Sequence, residues 1–186
     1  MTAPVHSLGP GERVCLWTQG CSKRCPGCIS PELQPPVGAD TDEALTAQLL
    51  LRTSAANHCG GLTISGGDPF EQAAGLVRVL ELVRNGFSDI LVYTGYTIGE
   101  IRAGAAGRAG VDALELIDVL IDGRYIDERN HPGCVLRGSD NQVIHYLNPA
   151  VRTAYEEYMR RGRIAESFVH GDTVILTGIP NRRIET

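Results

Sequence analysis

The chain has 186 residues, 42% apolar and 21% charged, with a net charge of -5 and a pI near 5.5. That length buries a hydrophobic core without covalent staples, and the composition excludes disordered and collagen-like classes. The acidic balance also lacks the basic surface that nonspecific binding to nucleic acid or anionic lipid needs, so neither is an expected partner.

No charged start followed by an apolar run opens the chain. No segment approaches the roughly eighteen apolar residues of a membrane span. The expectation is a cytoplasmic protein, away from membranes. In a reducing compartment, six cysteines argue for metal binding or catalysis rather than disulfides. Cys15, Cys59 and Cys134 are scattered and read as small buried hydrophobes.

In chain order, "RVCLWTQG" (13–20) is β-prone and delivers a loop, "CSKRCPGC", that carries the other three thiols. After the turn-rich "SPELQPPVGAD", Thr41 is placed to cap a helix through about Arg52, with Asp42 and Glu43 in its first turn. "GLTISGG" reads as a buried strand. "PFEQAAGLVRVLELVRNG" follows as an amphipathic helix, with Pro69 in its first turn, Leu76, Val79, Leu80 and Val83 in register, and Gly86 at its stop.

"DILVYTG" is the next strand. A helical segment from Ile98 toward Ala109 leads to a strand in the latter half of "ALELIDVLIDG". Further on, "LRGSDNQVIHYL" (136–147) reads as a polar loop running into a strand and "VRTAYEEYMRRGR" as a helix. "AESFVHGDTVILTGIP" reads as a terminal hairpin turning at 170–172.

Repeated β then α argues for a parallel sheet with helical crossovers, either an open doubly wound sheet or a barrel, complete or partial. Both architectures place ligand sites at the carboxyl ends of the strands. "GGDP", "TGY" and "DGRY" all fall there. One domain spanning 1–186 is expected, with a core at about 9–147 and an extension at 148–186.

Cys21, Cys25 and Cys28 are too many for one disulfide and too few for a closed tetrahedral zinc site. On a loop with Gly20 and Gly27, three thiolates can hold three corners of a 4Fe-4S cluster and leave one iron open, as catalytic metal sites do. The alternative is a zinc knuckle completed by His58, Cys59 or Cys134. The five histidines show no metal spacing of their own, and Trp17 reads as core.

The residues also resemble a family, the radical S-adenosylmethionine enzymes, and within it the small activases of glycyl radical enzymes. The likeness to the activating component of anaerobic ribonucleoside-triphosphate reductase rests on an ordered series: "GPGER", "GCSKRCPGC", "ISGGDP", "VYTGY", "VLIDGRY" and "LRGSDNQVIH". The chain departs from that pattern in three places. Ile29 and Ser30 stand where an aromatic residue and an asparagine are common, Asp140 where a serine is usual, and the tail beyond 150 is longer than in the smallest activases.

The resemblance implies a partial (βα) barrel with a C-terminal hairpin extension, a 4Fe-4S cluster on Cys21, Cys25 and Cys28, and S-adenosyl-L-methionine chelated to the open iron. It implies reductive cleavage of that cofactor to a 5′-deoxyadenosyl radical. The radical would abstract hydrogen from a glycine of a partner, such as anaerobic ribonucleotide reductase. With no second cysteine cluster in the sequence, an external flavodoxin or ferredoxin would supply the electron.

By the same resemblance Gly66, Gly67, Asp68 and Pro69 bind the methionyl ammonium, with Gly67 foremost; by themselves they suit a strand-to-helix turn. Gly27, Cys28 and Ile29 would flank the adenosyl group. Thr94, Gly95 and Tyr96 would line the pocket or form a plain turn. Asp122, Arg137, Ser139 and Asn141 would hold carboxylate and ribose or shape a docking surface. The other reading of Asp122 is a structural salt bridge with Arg124 or Arg137. Two further functions fit the same residues: radical modification of a peptide or small metabolite, and a noncatalytic zinc or electron-transfer module.

Overall fold

The computed structural model describes residues 1–36 and 41–179. Positions 37–40 of the turn-rich stretch, and Pro180 at the end of the expected hairpin, lie outside the described residues.

The amino-terminal half begins with β1 (Thr2–Val5) and β2 (Arg13–Thr18), then α1 (Glu43–Asn57), β3 (Gly61–Gly66), α2 (Ala73–Val83) and β4 (Asp89–Tyr93). It is followed by α3 (Ile98–Arg102), α4 (Gly107–Ala113), β5 (Val119–Asp122), β6 (Val143–Tyr146), α5 (Arg152–Met159), β7 (Ala165–His170) and β8 (Thr173–Gly178). β2 to β5 are parallel neighbours in sequence order, and β1 and β6 pair antiparallel at the edges.

The result is an α/β fold built on a mixed six-stranded sheet, with β7 and β8 as a separate two-stranded hairpin. β1 and β6 have no ladder between them, so the hydrogen bonding does not close the sheet into a ring. The parallel core and the terminal hairpin match the sequence reading. β1 was not anticipated: four residues broken by a proline carry too little pattern to announce an edge strand.

Two helix boundaries move. Asp42, not Thr41, caps α1, its carboxylate accepting from Leu45 N at 2.9 Å, and the helix runs on to Asn57. The segment expected from Ile98 to Ala109 is two short helices, because Gly104 at φ +90° breaks the ladder between them. Thr97 and Glu100 form a capping box at the start of α3, which anchors the end of the preceding loop.

The strands are buried on both faces, as parallel strands between helices are. Leu62, Ile64, Ile90, Val92 and Leu120 pack with Leu50 of α1 and with Leu76, Val79, Leu80 and Val83 of α2. On the other face Leu91, Val119 and Ile121 meet Tyr155 and Tyr158 of α5. The second face is covered over β1 by Val5, Leu8 and Cys15, against which Phe168 of the hairpin packs.

At the amino ends of the strands lies a buried ion pair. Arg13, fully buried, donates both guanidinium nitrogens to Asp89 at 3.0 Å, Nε to Thr63 Oγ1 at 2.7 Å, and further bonds to Leu62 O and Pro10 O. Tyr155 donates to the same Asp89. A side chain at Gly61 would collide with Arg13, its Cβ 2.4 Å from Nη1. "GPGER" therefore anchors the end of the sheet opposite to the cysteine loop.

Candidate functional site

The cysteine loop leaves β2 and returns through a single turn of 3-10 helix at Pro31–Leu33. Its two ends are stitched together: Gly20 N donates to Leu33 O at 2.8 Å and Cys21 N to Gln34 O at 2.9 Å. The neighbouring turn after β3 is tied to the loop's root, Gly67 N donating to Thr18 O at 2.8 Å and Asp68 N to Gly20 O at 2.9 Å. This approach demands glycine. A Cβ at Gly67 would stand 2.3 Å from Gly20 O, and one at Gly66, at φ +111°, would stand 2.4 Å from Thr18 O.

Asp68 joins the third strand end to the other two. Its carboxylate, 1% exposed, accepts from Phe70 N at 3.1 Å, Thr94 Oγ1 at 2.8 Å and Gly95 N at 3.0 Å. Burial raises its pKa, and the three bonds with the charge of Lys23 offset only part of that rise. Lys23, between the first two cysteines, has a side chain only 7% exposed. Its ammonium lies 3.2 Å from the centre of the Tyr96 ring and donates to Glu71 Oε1 at 3.0 Å. Burial lowers the Lys23 pKa, but Tyr96, Glu71 and Asp68 outweigh it and the net shift is upward, so the amine stays charged.

Cys21, Cys25 and Cys28, each partly exposed, line one cavity of about 200 Å³ at the carboxyl ends of the parallel strands. Gly27, Ile29, Gly67, Thr94 and Gly95 line it as well. Burial pushes the Cys21 thiol up, although the amides of Lys23 and Arg24 favour its thiolate. Gly27, at φ +71°, lets the loop pass Asp127, whose Oδ1 would be 3.0 Å from an added Cβ.

The remaining residues singled out in the sequence stand behind the wall. Gly66, Asp68 and Pro69 shape the turn, and Tyr96 backs Lys23. Asp122, 3% exposed, accepts from Ile98 N at 2.6 Å and Val143 N at 3.3 Å. The basic side chain beside it is His145, with Nε2 at 2.9 Å, rather than Arg124 or Arg137. The Arg137 guanidinium donates to Gln142 O at 2.9 Å, Ser139 Oγ accepts from Ile126 N at 3.1 Å, and Asn141 Nδ2 donates to Arg124 O at 2.7 Å. These three brace the loop after β5, and the cavity is lined there by Tyr125, Asp127, Asn130 and Gln142 instead.

That polar wall was missed residue by residue, though "DGRY" marked its place. Asn130 Nδ2 donates to Tyr125 OH at 2.9 Å, and Tyr125 OH in turn donates to Asp127. Trp17, read as core, also lines the cavity, beside Leu8. On that side the hairpin contributes Leu176, Thr177, Gly178 and Ile179, which no motif announced.

Among the described residues no three His, Cys, Asp or Glu side chains converge as a single ion requires. His58 and Cys59 sit just before β3, at the opposite end of the strands, and Cys134 is fully buried outside the cavity. One tetrahedral ion draws its sulfur donors to about 2.3 Å, whereas a cubane spreads them over separate irons. Three thiols around one cavity, with His58, Cys59 and Cys134 absent from its lining, fit a cluster held by three cysteines.

Comparison with known proteins agrees. A family model described as "4Fe-4S single cluster domain" matches residues 7–145. The anaerobic ribonucleoside-triphosphate reductase-activating protein of Salmonella typhimurium is 32% identical over 149 residues, covering 75% of this chain and 91% of the relative. That of Escherichia coli K12 shows the same identity and coverage, and that of Pasteurella multocida is 35% identical over 144 residues, covering 74% and 89%. The chain belongs to this family. Membership in the 4Fe-4S activating proteins upholds the resemblance read from the motif series, and the match to the family model ends before α5 and the hairpin. Among the described residues no helix is long and apolar enough to cross a membrane.

Proposed function

We propose that the protein is a radical S-adenosylmethionine activase that generates a glycyl radical on a partner enzyme, anaerobic ribonucleotide reductase. The observation that carries this reading is three partly exposed cysteines on one cavity wall, facing the glycine turn, in a chain whose relatives are named as activators of that reductase. The cluster, when bound, supplies one electron and an open iron. Held by Cys21, Cys25 and Cys28, it would supply the chemistry that converts one S-adenosylmethionine and one electron to methionine and a 5′-deoxyadenosyl radical, able to take a hydrogen atom from a glycine Cα of the partner and become 5′-deoxyadenosine.

The chain's own residues bind, orient and exclude water. An ammonium only donates, so a methionyl ammonium would be met by carbonyl oxygens of the turn, whose amides Gly67 N and Asp68 N hold it to the root of the cysteine loop. Lys23 holds the loop between Tyr96 and Glu71, and Asp68 fixes the distance between the ends of β3 and β4. Leu8, Trp17 and Ile29 give part of the cavity an apolar lining, beside the polar wall of Tyr125, Asp127, Asn130 and Gln142. Gly27, Cys28 and Ile29 would flank adenosine, while Asp122, Arg137 and Ser139 act by bracing the loop after β5. A flavodoxin or ferredoxin would deliver the electron, in the cytoplasm, to what we read as a single domain with the barrel-type curvature of its class.

The test is anaerobic. The protein is reconstituted with iron and sulfide, S-adenosylmethionine and dithionite are added, and 5′-deoxyadenosine is measured with and without the reductase. A stoichiometric cluster that yields no 5′-deoxyadenosine overturns the proposal. A product that forms only with a peptide or metabolite redirects the same chemistry to another substrate.

A further inference from the structure

The hairpin lies beyond the residues matched by the family model, yet it forms one side of the cavity that holds the three cysteines. A two-stranded hairpin is marginally stable by itself, so its position depends on anchors. Glu166 of β7 accepts from the backbone amides of His6 at 2.8 Å and Ser7 at 2.7 Å, and its other oxygen lies 3.0 Å from His6 Nδ1. Ser7 Oγ and Thr177 Oγ1 share a buried bond of 2.8 Å, and Phe168 packs onto Val5, Leu8 and Cys15. Gly178, at φ +98°, lets the end of β8 approach closely: a Cβ there would stand 2.2 Å from Ile164 O.

The contacts of Glu166, Phe168 and Thr177 use the inner face. On the outer face Val169 pairs across the hairpin with Val174, and Ser167 with Leu176. Val169, Val174 and Leu176 are 76%, 59% and 65% exposed, an apolar strip in a position where strands facing water carry polar residues. Leu176 belongs both to this strip and to the cavity lining, so the strip reaches the edge of the site. Ile29, 60% exposed, is a further apolar residue of the same cavity lining.

We propose that the hairpin is the partner-selecting wall of the entrance: it docks an apolar segment of the partner polypeptide that leads the reacting glycine into the cavity. The inference rests on the activase reading and adds to it the element that chooses the partner. The occupant is a polypeptide because the strip reaches the edge of the cavity that holds the cysteines, and it is apolar because the strip presents no charge of its own.

The experiment compares the wild-type chain with the V169D/V174D double variant, whose positions line the strip but not the cavity. The clusters are verified first, and the probe is purified anaerobic ribonucleoside-triphosphate reductase. Two readouts are taken: 5′-deoxyadenosine formed without the reductase, and the reductase concentration giving half-maximal glycyl radical by electron paramagnetic resonance. The expected result is at least a tenfold rise in that concentration, with partner-free 5′-deoxyadenosine within twofold of wild type. A V169T/V174T variant, which keeps the β-branch without charge, falls between.

Unchanged half-saturation overturns the inference, as does a parallel fall of both readouts, which would mark the strip as structural. A wild-type dimer that V169D/V174D converts to monomer, with unchanged half-saturation, assigns the strip to self-association and likewise overturns it. If the wild-type cluster forms no 5′-deoxyadenosine at all, it is the activase reading that fails, and the hairpin proposal falls with it.

Discussion

The Lys23 ammonium stands 3.2 Å from the centre of the Tyr96 ring, so a residue inside the cysteine motif is clamped to the loop after β4. Glu71 holds the same amine at 3.0 Å and also accepts from Ser22 N, which ties the motif to the turn preceding α2. A desolvated cation–π contact is worth about 2 kcal/mol. Lys23→Met therefore lowers unfolding free energy by roughly 1–2 kcal/mol and speeds iron loss after reconstitution, while Lys23→Arg retains most of both. Iron and sulfide content after gel filtration, beside a denaturant titration, checks this.

Gly67 makes a sharper demand, because its neighbours are backbone rather than side chains. Gly20 O and Leu33 O would stand 2.3 and 2.8 Å from a new Cβ, and neither can rotate away. Gly67→Ala separates the turn from the cysteine loop and breaks the bonds from Gly67 N and Asp68 N. The expected outcome is a protein that takes up little cluster and binds S-adenosylmethionine at least tenfold more weakly by equilibrium dialysis. Gly75→Ala, where the nearest atom is 3.6 Å from the added Cβ, behaves as wild type.

The sequence made the parallel core legible because "LTIS", "ILVY" and "DVLI" are continuous apolar runs punctuated by glycine, and such runs are hard to misplace. It also put its candidate residues at the strand ends where the cysteine-lined cavity lies. It failed where the signal is long-range. Nothing local in "DGRY" says that Tyr125 and Asp127 face the cysteines while Asp122 turns to Ile98 N and His145. Nothing in "TVILTG" says that a hairpin about 160 residues away folds beside Leu8. Lys23 was passed over because a lysine between two cysteines looks solvated until Tyr96 and Glu71 are placed around it.

Arg13 and Asp89 tie β2 to β4 across β3, with Thr63 and Tyr155 completing the cluster. Removing one member of a buried pair leaves an uncompensated charge, at a cost of about 3–5 kcal/mol. Asp89→Ala is accordingly destabilised by that order in urea unfolding, and Arg13→Met by a similar amount. Arg13→Met/Asp89→Leu recovers much of the loss, since the double variant leaves no lone charge. The site lies at the other end of the strands, so whatever fraction stays folded loads a cluster normally.

Acid should loosen the hairpin before it unfolds the sheet. Burial favours the neutral form of Glu166, but bonds from His6 and Ser7 outweigh it and hold the carboxylate below its usual range. The folded pKa is thus lower than the unfolded one, so the anchor's stabilisation is complete above the ordinary glutamate pKa and is lost as pH falls through the depressed folded value. Tyr158, whose hydroxyl donates to His6 O at 2.7 Å, packs nearby and stays neutral throughout, its own pKa pushed up to about 12. Hydrogen exchange at Phe168 and Ile175 should accelerate once the pH falls below the ordinary glutamate range, while that of Ile64 and Val92 does not. In Glu166→Gln the hairpin exchanges faster at neutral pH and the acid step disappears. An unchanged acid step in that variant would mean that another carboxylate holds the hairpin to Ser7.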